Sequence, residues 1–364
     1  MRYDAIDLEP GRGNDAVVPR RSRSGRSRVS LLNRTVASVL LLGMVAMLWL
    51  SHLDSAPDLV PTRVARGVPG VETLAFAFSP DGQTIATTHS DGRVALREVA
   101  SGWSIPRFLN DRGHDWAVAF SPDGRTLVLG GIEPDIVLCD VGRGDRLRGL
   151  GMPIRSTWAM ALSPDGRTLA ASSVLSNEII LWDLEAGRSP ITLRGHASPV
   201  RCITFSPDGR SLASGGMKDQ MIIIWDLATG RPRRRLSGPQ GTIWSIAYSP
   251  EGARLASASG YEHWVRLWDV KSGRLDRVLE GHHPATNSLA FSPDGRLLAT
   301  AGSDGLVRLW SAASGEELRH LDGRAVILSG VAFSPDGRTL AATGRDNDVR
   351  LWDLAEILAA QPDR

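Results

Sequence analysis

Along most of this chain apolar residues take alternate positions for five or six residues, stop at a polar turn, and resume. The stretch from Val200 to Asp226, VRCITFSPDGRSLASGGMKDQMIIIWD, shows the pattern at its clearest. Two positions before the aromatic or leucine that enters each turn stand Phe76, Val118, Met160, Ile203, Ile246, Leu289 and Val331, all apolar. A period of two predicts a strand with one buried face. Beyond the turn come small-residue runs such as Leu212-Ala213-Ser214. A β-branched run follows, ending in Trp-Asp at Trp182-Asp183, Trp225-Asp226, Trp268-Asp269 and Trp352-Asp353. These predict a second and a third strand, and the interval to the next copy leaves room for a fourth.

The turns lie at Phe78–Gly82, Phe120–Gly124, Leu162–Gly166, Phe205–Gly209, Tyr248–Gly252, Phe291–Gly295 and Phe333–Gly337, one every 42 or 43 residues. In the fourth copy Pro207 presets φ at a turn position, Asp208 can accept from nearby backbone amides, and Gly209 tolerates the positive φ that closes a hairpin. Seven in-phase units of four short strands predict a propeller, because each sheet can bury its faces only against its neighbours.

On these residues the chain resembles the WD-repeat (WD40) family, over about Leu59 to Asp353. The resemblance implies an all-β fold, a seven-bladed WD40 β-propeller. Departures are local: Arg97 and Cys139 stand at the Trp position of the first two copies, and Ser311 replaces the Asp of the sixth. The family's Gly-His pair occurs at Gly195-His196 and Gly281-His282. There the resemblance implies structural hydrogen-bond tetrads of His196, Ser214, Asp219 and Trp225, and of His282, Thr300, Asp304 and Trp310.

Composition adds a polarity to the chain. Formal net charge is +2, which calls for no nucleic acid. Residues 1–34 hold eight Arg against Asp4, Asp7, Glu9 and Asp15, lack apolar periodicity, and read as a disordered basic tail. Residues 35–53, TVASVLLLGMVAMLWLSHL, carry no charge. As a helix they would span about 28 Å, close to a hydrocarbon core, so a single transmembrane helix is expected to precede the propeller. The long region before it and Asp54 at the −3 position before Ala56 argue for an anchor over a cleaved signal peptide, the alternative being a secreted domain. Arginines before the span and Asp54 and Asp58 after it place the tail in the cytoplasm and the propeller outside. Residues 54–58 read as a linker.

After Asp353 only LAEILAAQPDR remains, helix-like in composition and too short for a turn and an outer strand, so 354–364 read as a C-terminal tail. Residues 59–66, in phase with outer strands, are expected to close the last blade. Cys139 and Cys202, a whole blade apart, cannot form a disulfide, which needs Cα atoms within about 7 Å. They read as buried small hydrophobes.

The resemblance implies that partners dock at top-face positions: the residue four before each turn aromatic, and the residues before the Asp of the second tight turn. The first set is Leu74, Trp116, Trp158, Arg201, Trp244, Asn287 and Ser329; the second contributes Lys218, Tyr261 and Arg345, with Trp264 nearby. Trp, Tyr and Arg are the types that carry binding hot spots. The expected sites are therefore Trp116, Trp158, Trp244, Arg201, Lys218, Tyr261, Trp264 and Arg345, for a protein or peptide partner. The same tryptophans read equally as filler of the inner blade ends. There is no Gly-x-Ser-x-Gly elbow, no phosphate-binding glycine loop and no metal-spaced His or Cys cluster. The chain therefore reads as a non-catalytic membrane-tethered scaffold with no cofactor; a propeller hydrolase or lyase and an extracytoplasmic ligand sensor are the alternatives.

Overall fold

The computed structural model describes residues 59–359, except 68–69, 102–103, 106–114, 134, 152–155, 186–189, 238–240, 261 and 326. The expected tail, membrane helix and linker, residues 1–58, lie outside the described residues. Among the described residues no helix is long and apolar enough to cross a membrane.

Among the described residues twenty-eight strands, β1 (Arg63–Ala65) to β28 (Val349–Asp353), form seven four-stranded antiparallel sheets. Six are meanders in chain order, exemplified by β14 (Val200–Phe205), β15 (Ser211–Gly216), β16 (Met221–Asp226) and β17 (Arg231–Ser237). The seventh takes its outer strand from the other end of the chain, in the order β1-β28-β27-β26. Here β26 is Leu328–Phe333 and β27 is Thr339–Gly344. Val64 stands opposite Arg350.

The hairpin between first and second strands uses its turn chemistry in full. The Ser206 hydroxyl donates to Asp208 at 2.6 Å and accepts from the Ser211 amide at 2.9 Å, while the Arg210 amide donates to Asp208 at 3.0 Å. Gly209 has φ 68°. The same Ser–Asp bond recurs at Ser79, Ser121, Ser163, Ser292 and Ser334. Each of these aspartates is held below the usual carboxylate range, first by the serine hydroxyl and then by the amide two residues on. Blade five has Glu251 instead, and Ser249 turns its hydroxyl to the Arg254 carbonyl at 3.2 Å. The turns also touch one another: each glycine lies against the proline of the preceding turn, from Gly124 on Pro80 through Gly337 on Pro293, and Gly82 lies against Pro335. That last contact closes the ring.

Between blades the core is apolar, with Leu212, Ile223 and Trp225 inaccessible to solvent and packed with Leu181, Leu193 and Phe205. Cys139 and Cys202 are buried free thiols, which burial pushes up to about 11 and about 12. The seam between first and last blades is polar as well. The Thr73 hydroxyl donates to Asn347 at 2.8 Å, the Gly67 amide to Asp348 at 3.0 Å, and Arg97 to the Arg66 carbonyl at 3.1 Å.

Two readings of the chain ends need correction. The closing strand is shorter than residues 59–66: only Arg63–Ala65 form β1, and Leu59 makes an isolated parallel bridge to Leu321 of blade six. Residues 354–359 form a short helix, α1 (Leu354–Ala359), as their composition suggests, but it is docked and not a tail: its Leu354 and Ile357 are buried in the core of the last two blades. The i, i+3 spacing of those two residues puts both on one helix face, where the apolar ends of Leu340 and Trp352 meet them.

Candidate functional site

In six blades the first strand carries a β-bulge at one residue near its start. Ladder pairing passes from Thr73 to Ala75, Asp115 to Ala117, Val200 to Cys202, Ile243 to Ser245, Thr286 to Ser288 and Leu328 to Gly330. The skipped residues are Leu74, Trp116, Arg201, Trp244, Asn287 and Ser329. In blade three Trp158 takes the matching place just before β10 (Met160–Leu162), its amide donating to the Ser172 carbonyl at 2.9 Å. A bulge frees a side chain from the in–out alternation and re-aims it. Here all seven residues line one cavity of about 510 Å³, at the end of the propeller opposite the Ser-Pro-Asp-Gly turns.

The cavity is lopsided. Blades two to five present a continuous array: Trp116 and Trp158 lie with ring centroids 6.2 Å apart and tilted by 48°, and the Arg201 guanidinium carbon sits 5.0 Å from the Trp158 ring and 4.9 Å from Trp244. Both distances are within cation–π range. Blades six, seven and one present Asn287, Ser329 and Leu74. Asn287 is already used, its amide donating to the Leu328 carbonyl at 2.7 Å and to Ser303 at 3.0 Å. Trp116 and Trp158 are half-buried and Trp244 is 38% exposed, so none is simply core filler. Gly260 seats Trp244: a Cβ there would overlap the indole. Burial pushes the Arg201 guanidinium below its ordinary value.

The other top-face residues do not join this array. Lys218 and Arg345 are exposed on the tight turns and do not line the cavity. Trp264 opens β20 (Trp264–Asp269), 40% exposed, with the Arg266 guanidinium carbon 5.9 Å from its ring. Tyr261 lies outside the described residues. Sequence position alone grouped eight residues; the bulges bring together Trp116, Trp158, Arg201 and Trp244 and leave Lys218, Trp264 and Arg345 on the rim or beyond it.

The structure assembles both tetrads. Trp225 Nε1 donates to the Ser214 hydroxyl at 2.8 Å, Ser214 meets His196 Nε2 at 2.8 Å, and His196 Nδ1 meets Asp219 at 2.7 Å. With a neutral imidazole the donors run one way, from Trp to Ser to His to Asp, and every buried group is satisfied. In blade six Trp310 donates to Thr300 Oγ1 at 2.9 Å, His282 Nε2 lies 2.7 Å from that oxygen, and His282 Nδ1 is 3.0 Å from both Asp304 oxygens. Burial pushes Asp219 and Asp304 up. The hydrogen bond from His196 or His282, with those from backbone amides, outweighs it and leaves both below the usual carboxylate range.

Blades five and seven, which lack the Gly-His pair, use a different device, which motif matching overlooked. In blade five Trp268 donates to Ser257 at 2.8 Å, and Arg266 pairs with Glu262 at 2.9 Å. In blade seven Arg350 pairs with Asp346 at 3.0 Å, while Trp352 donates to the Leu59 carbonyl at 3.2 Å. An arginine two residues before the blade tryptophan, four after a tight-turn carboxylate, was the legible signal. These groups hold blades together; they have no access to a ligand in the cavity.

Among known proteins, the family described as "IFT122 first beta-propeller" matches residues 156–357, more than half of the chain. The family described as "WD domain, G-beta repeat" matches residues 68–96. No curated protein matches the chain. Seven four-stranded blades, a hairpin repeated in phase and blade tetrads of the expected kind agree with that match, and the chain belongs to the IFT122 first beta-propeller family, as a seven-bladed propeller of WD40 repeats.

Proposed function

We propose that this propeller is a docking platform that binds a protein partner at the cavity walled by Trp116, Trp158, Arg201 and Trp244. WD40 propellers are generally interaction scaffolds without catalysis of their own. The observation that carries the proposal is the convergence of three indoles and a guanidinium on one open cavity, Trp116, Arg201 and Trp244 aimed there by β-bulges and Trp158 from the matching place before β10. Rigid aromatic and arginine side chains in a pocket are the pattern of a binding hot spot. Among the described residues lining the cavity, Arg201 alone is charged, and no nucleophile–base pair faces it, which favours binding over hydrolysis or elimination.

The same proposal has the platform tethered through residues 35–53, with the basic tail in the cytoplasm and the propeller outside. It rests on the uncharged span and on the arginines that precede it. A Ser55→Cys variant tests the orientation, since Cys139 and Cys202 are buried. An impermeant maleimide should label it on intact cells; protection until lysis refutes the topology. Docking is tested by cross-linking and co-purification from native membranes, with wild type set against a Trp116→Ala, Trp158→Ala, Trp244→Ala triple variant whose folding is checked by melting. Loss of a captured partner in the folded variant supports the reading, and unchanged capture refutes it.

A further inference from the structure

Arg201 carries more than the docking reading asks of it. Among the described residues it is the only charged one lining the cavity. Its Nε is sealed from solvent without a hydrogen-bond acceptor, and among the described residues no carboxylate meets its guanidinium. Of the other arginines drawn into this fold, Arg266 is matched by Glu262, Arg308 by Asp304 and Glu317, and Arg350 by Asp346, while Arg97 donates to the Arg66 carbonyl. A guanidinium does not shed its charge in a protein, so a partly buried one without an anion is costly unless something compensates it. Trp158 and Trp244, on either side of it, compensate in part by cation–π attraction. What they leave open is its polar edge.

Resting on the docking proposal, we infer that Arg201 anchors a carboxylate, supplied by an Asp or Glu side chain of an acidic peptide segment in the protein partner. With indoles on both sides, a ligand must approach along the edge. A planar carboxylate matches that edge with two parallel hydrogen bonds. The charge count narrows the anion further. Among the described residues one cation and no second Lys or Arg lines the cavity, so a monoanion is neutralised by them while a phosphoryl dianion is not. The cavity, at about 510 Å³, is large enough for the acidic side chain and an apolar neighbour, which would lie on the Trp116–Trp158 wall.

The test uses the full chain and an array of capped octapeptides. Each peptide with one Asp or Glu is set beside its Asn or Gln twin and beside a phosphoserine version. The peptides that bind best are titrated by fluorescence anisotropy against wild type, Arg201→Gln and Arg201→Lys. The expected result is that wild type prefers the acid twin by at least about 10-fold in Kd, the scale of hydrogen bonds to a charged group. Arg201→Gln should bring that preference below about 3-fold, with Arg201→Lys in between. Equal binding of acid and amide twins, a preference that survives Arg201→Gln, tighter binding of the phosphoserine version, or no binding by any acidic peptide overturns the inference. The acid–amide comparison on wild type stands even if Arg201→Gln does not fold. Failure here separates cleanly from failure of docking: a partner lost in the triple tryptophan variant but held normally by a folded Arg201→Gln leaves the platform standing and removes only its carboxylate.

Discussion

Replacing Thr300 by valine removes one hydroxyl from the centre of the blade-six tetrad and leaves the side-chain shape intact. Thr300 is inaccessible to solvent, and so nearly are Trp310 and His282. Its oxygen accepts from Trp310 Nε1 at 2.9 Å and meets His282 Nε2 at 2.7 Å. Valine strands both nitrogens where water cannot reach them. Each orphaned buried group costs about 1–3 kcal/mol, so two cost about 3 kcal/mol together. Burying a methyl in place of the hydroxyl returns about 0.8 kcal/mol. The expected net loss is about 2 kcal/mol, a large share of the roughly 5–15 kcal/mol that stabilises a domain. The control is internal. Thr343 is a buried threonine of the next blade, one residue beyond Ala342, which holds the position matching Thr300 and leaves Trp352 to donate to the Leu59 carbonyl instead, and among the described residues the Thr343 hydroxyl makes no hydrogen bond. Thr343→Val should therefore change stability by less than about 0.5 kcal/mol. Urea unfolding followed by far-ultraviolet circular dichroism compares the two. If both substitutions cost the same, or if Thr300→Val costs less than about 0.5 kcal/mol, the tetrad contributes through shape and not through its hydrogen bonds.

Three further outcomes are expected. Asp219 and Asp304 have folded values below the ordinary carboxylate one, so their contribution is complete above the unfolded value of about 3.9 and is lost as pH falls through the folded values. The melting temperature should fall in acid, and an Asp219→Asn, Asp304→Asn double variant should start lower and fall less steeply; an unchanged slope would sink the assignment. Glu251→Asp should restore to blade five the serine–carboxylate bond present in the other six hairpins. It should stabilise the protein by about 0.5–1 kcal/mol in chemical unfolding, and a destabilised variant would contradict the turn analysis. Ala65→Asp would bury an unpaired carboxylate at the seam, where Ala65 packs with Ile85, Val349 and Leu351. A loss of about 3 kcal/mol, with new proteolytic cleavage at the ring junction or pairing between chains through the freed edge of β28, is expected; a native melt and a monomeric elution profile would show that the seam does not depend on β1.

The sequence was sufficient for whatever repeats. Alternating apolar positions, the Ser-Pro-Asp-Gly turn and the blade tryptophans recur at 42 or 43 residues, and one local rule seen seven times names the strand, the hairpin and the propeller together. It also pointed to the residues of the two tetrads, because those bonds are made by groups at set offsets within one repeat. What the repeat cannot encode is the difference between blades. Arg266 and Arg350 do for their blades what histidine does elsewhere, yet an arginine in a strand reads as a solvated charge until Glu262 or Asp346 is seen against it. Residues 354–359 read as a tail because only the packed core of the last two blades gives Leu354 and Ile357 a place to be buried. The site shows the same division. Sequence offsets chose Trp116, Trp158, Arg201 and Trp244, but gave equal standing to Lys218, Trp264 and Arg345. Only ring closure, which turns the six bulged residues and Trp158 toward one axis, decided which side chains meet. Contacts between residues 42 or 43 positions apart follow from blade-to-blade geometry, and no local pattern of apolar and polar positions records them.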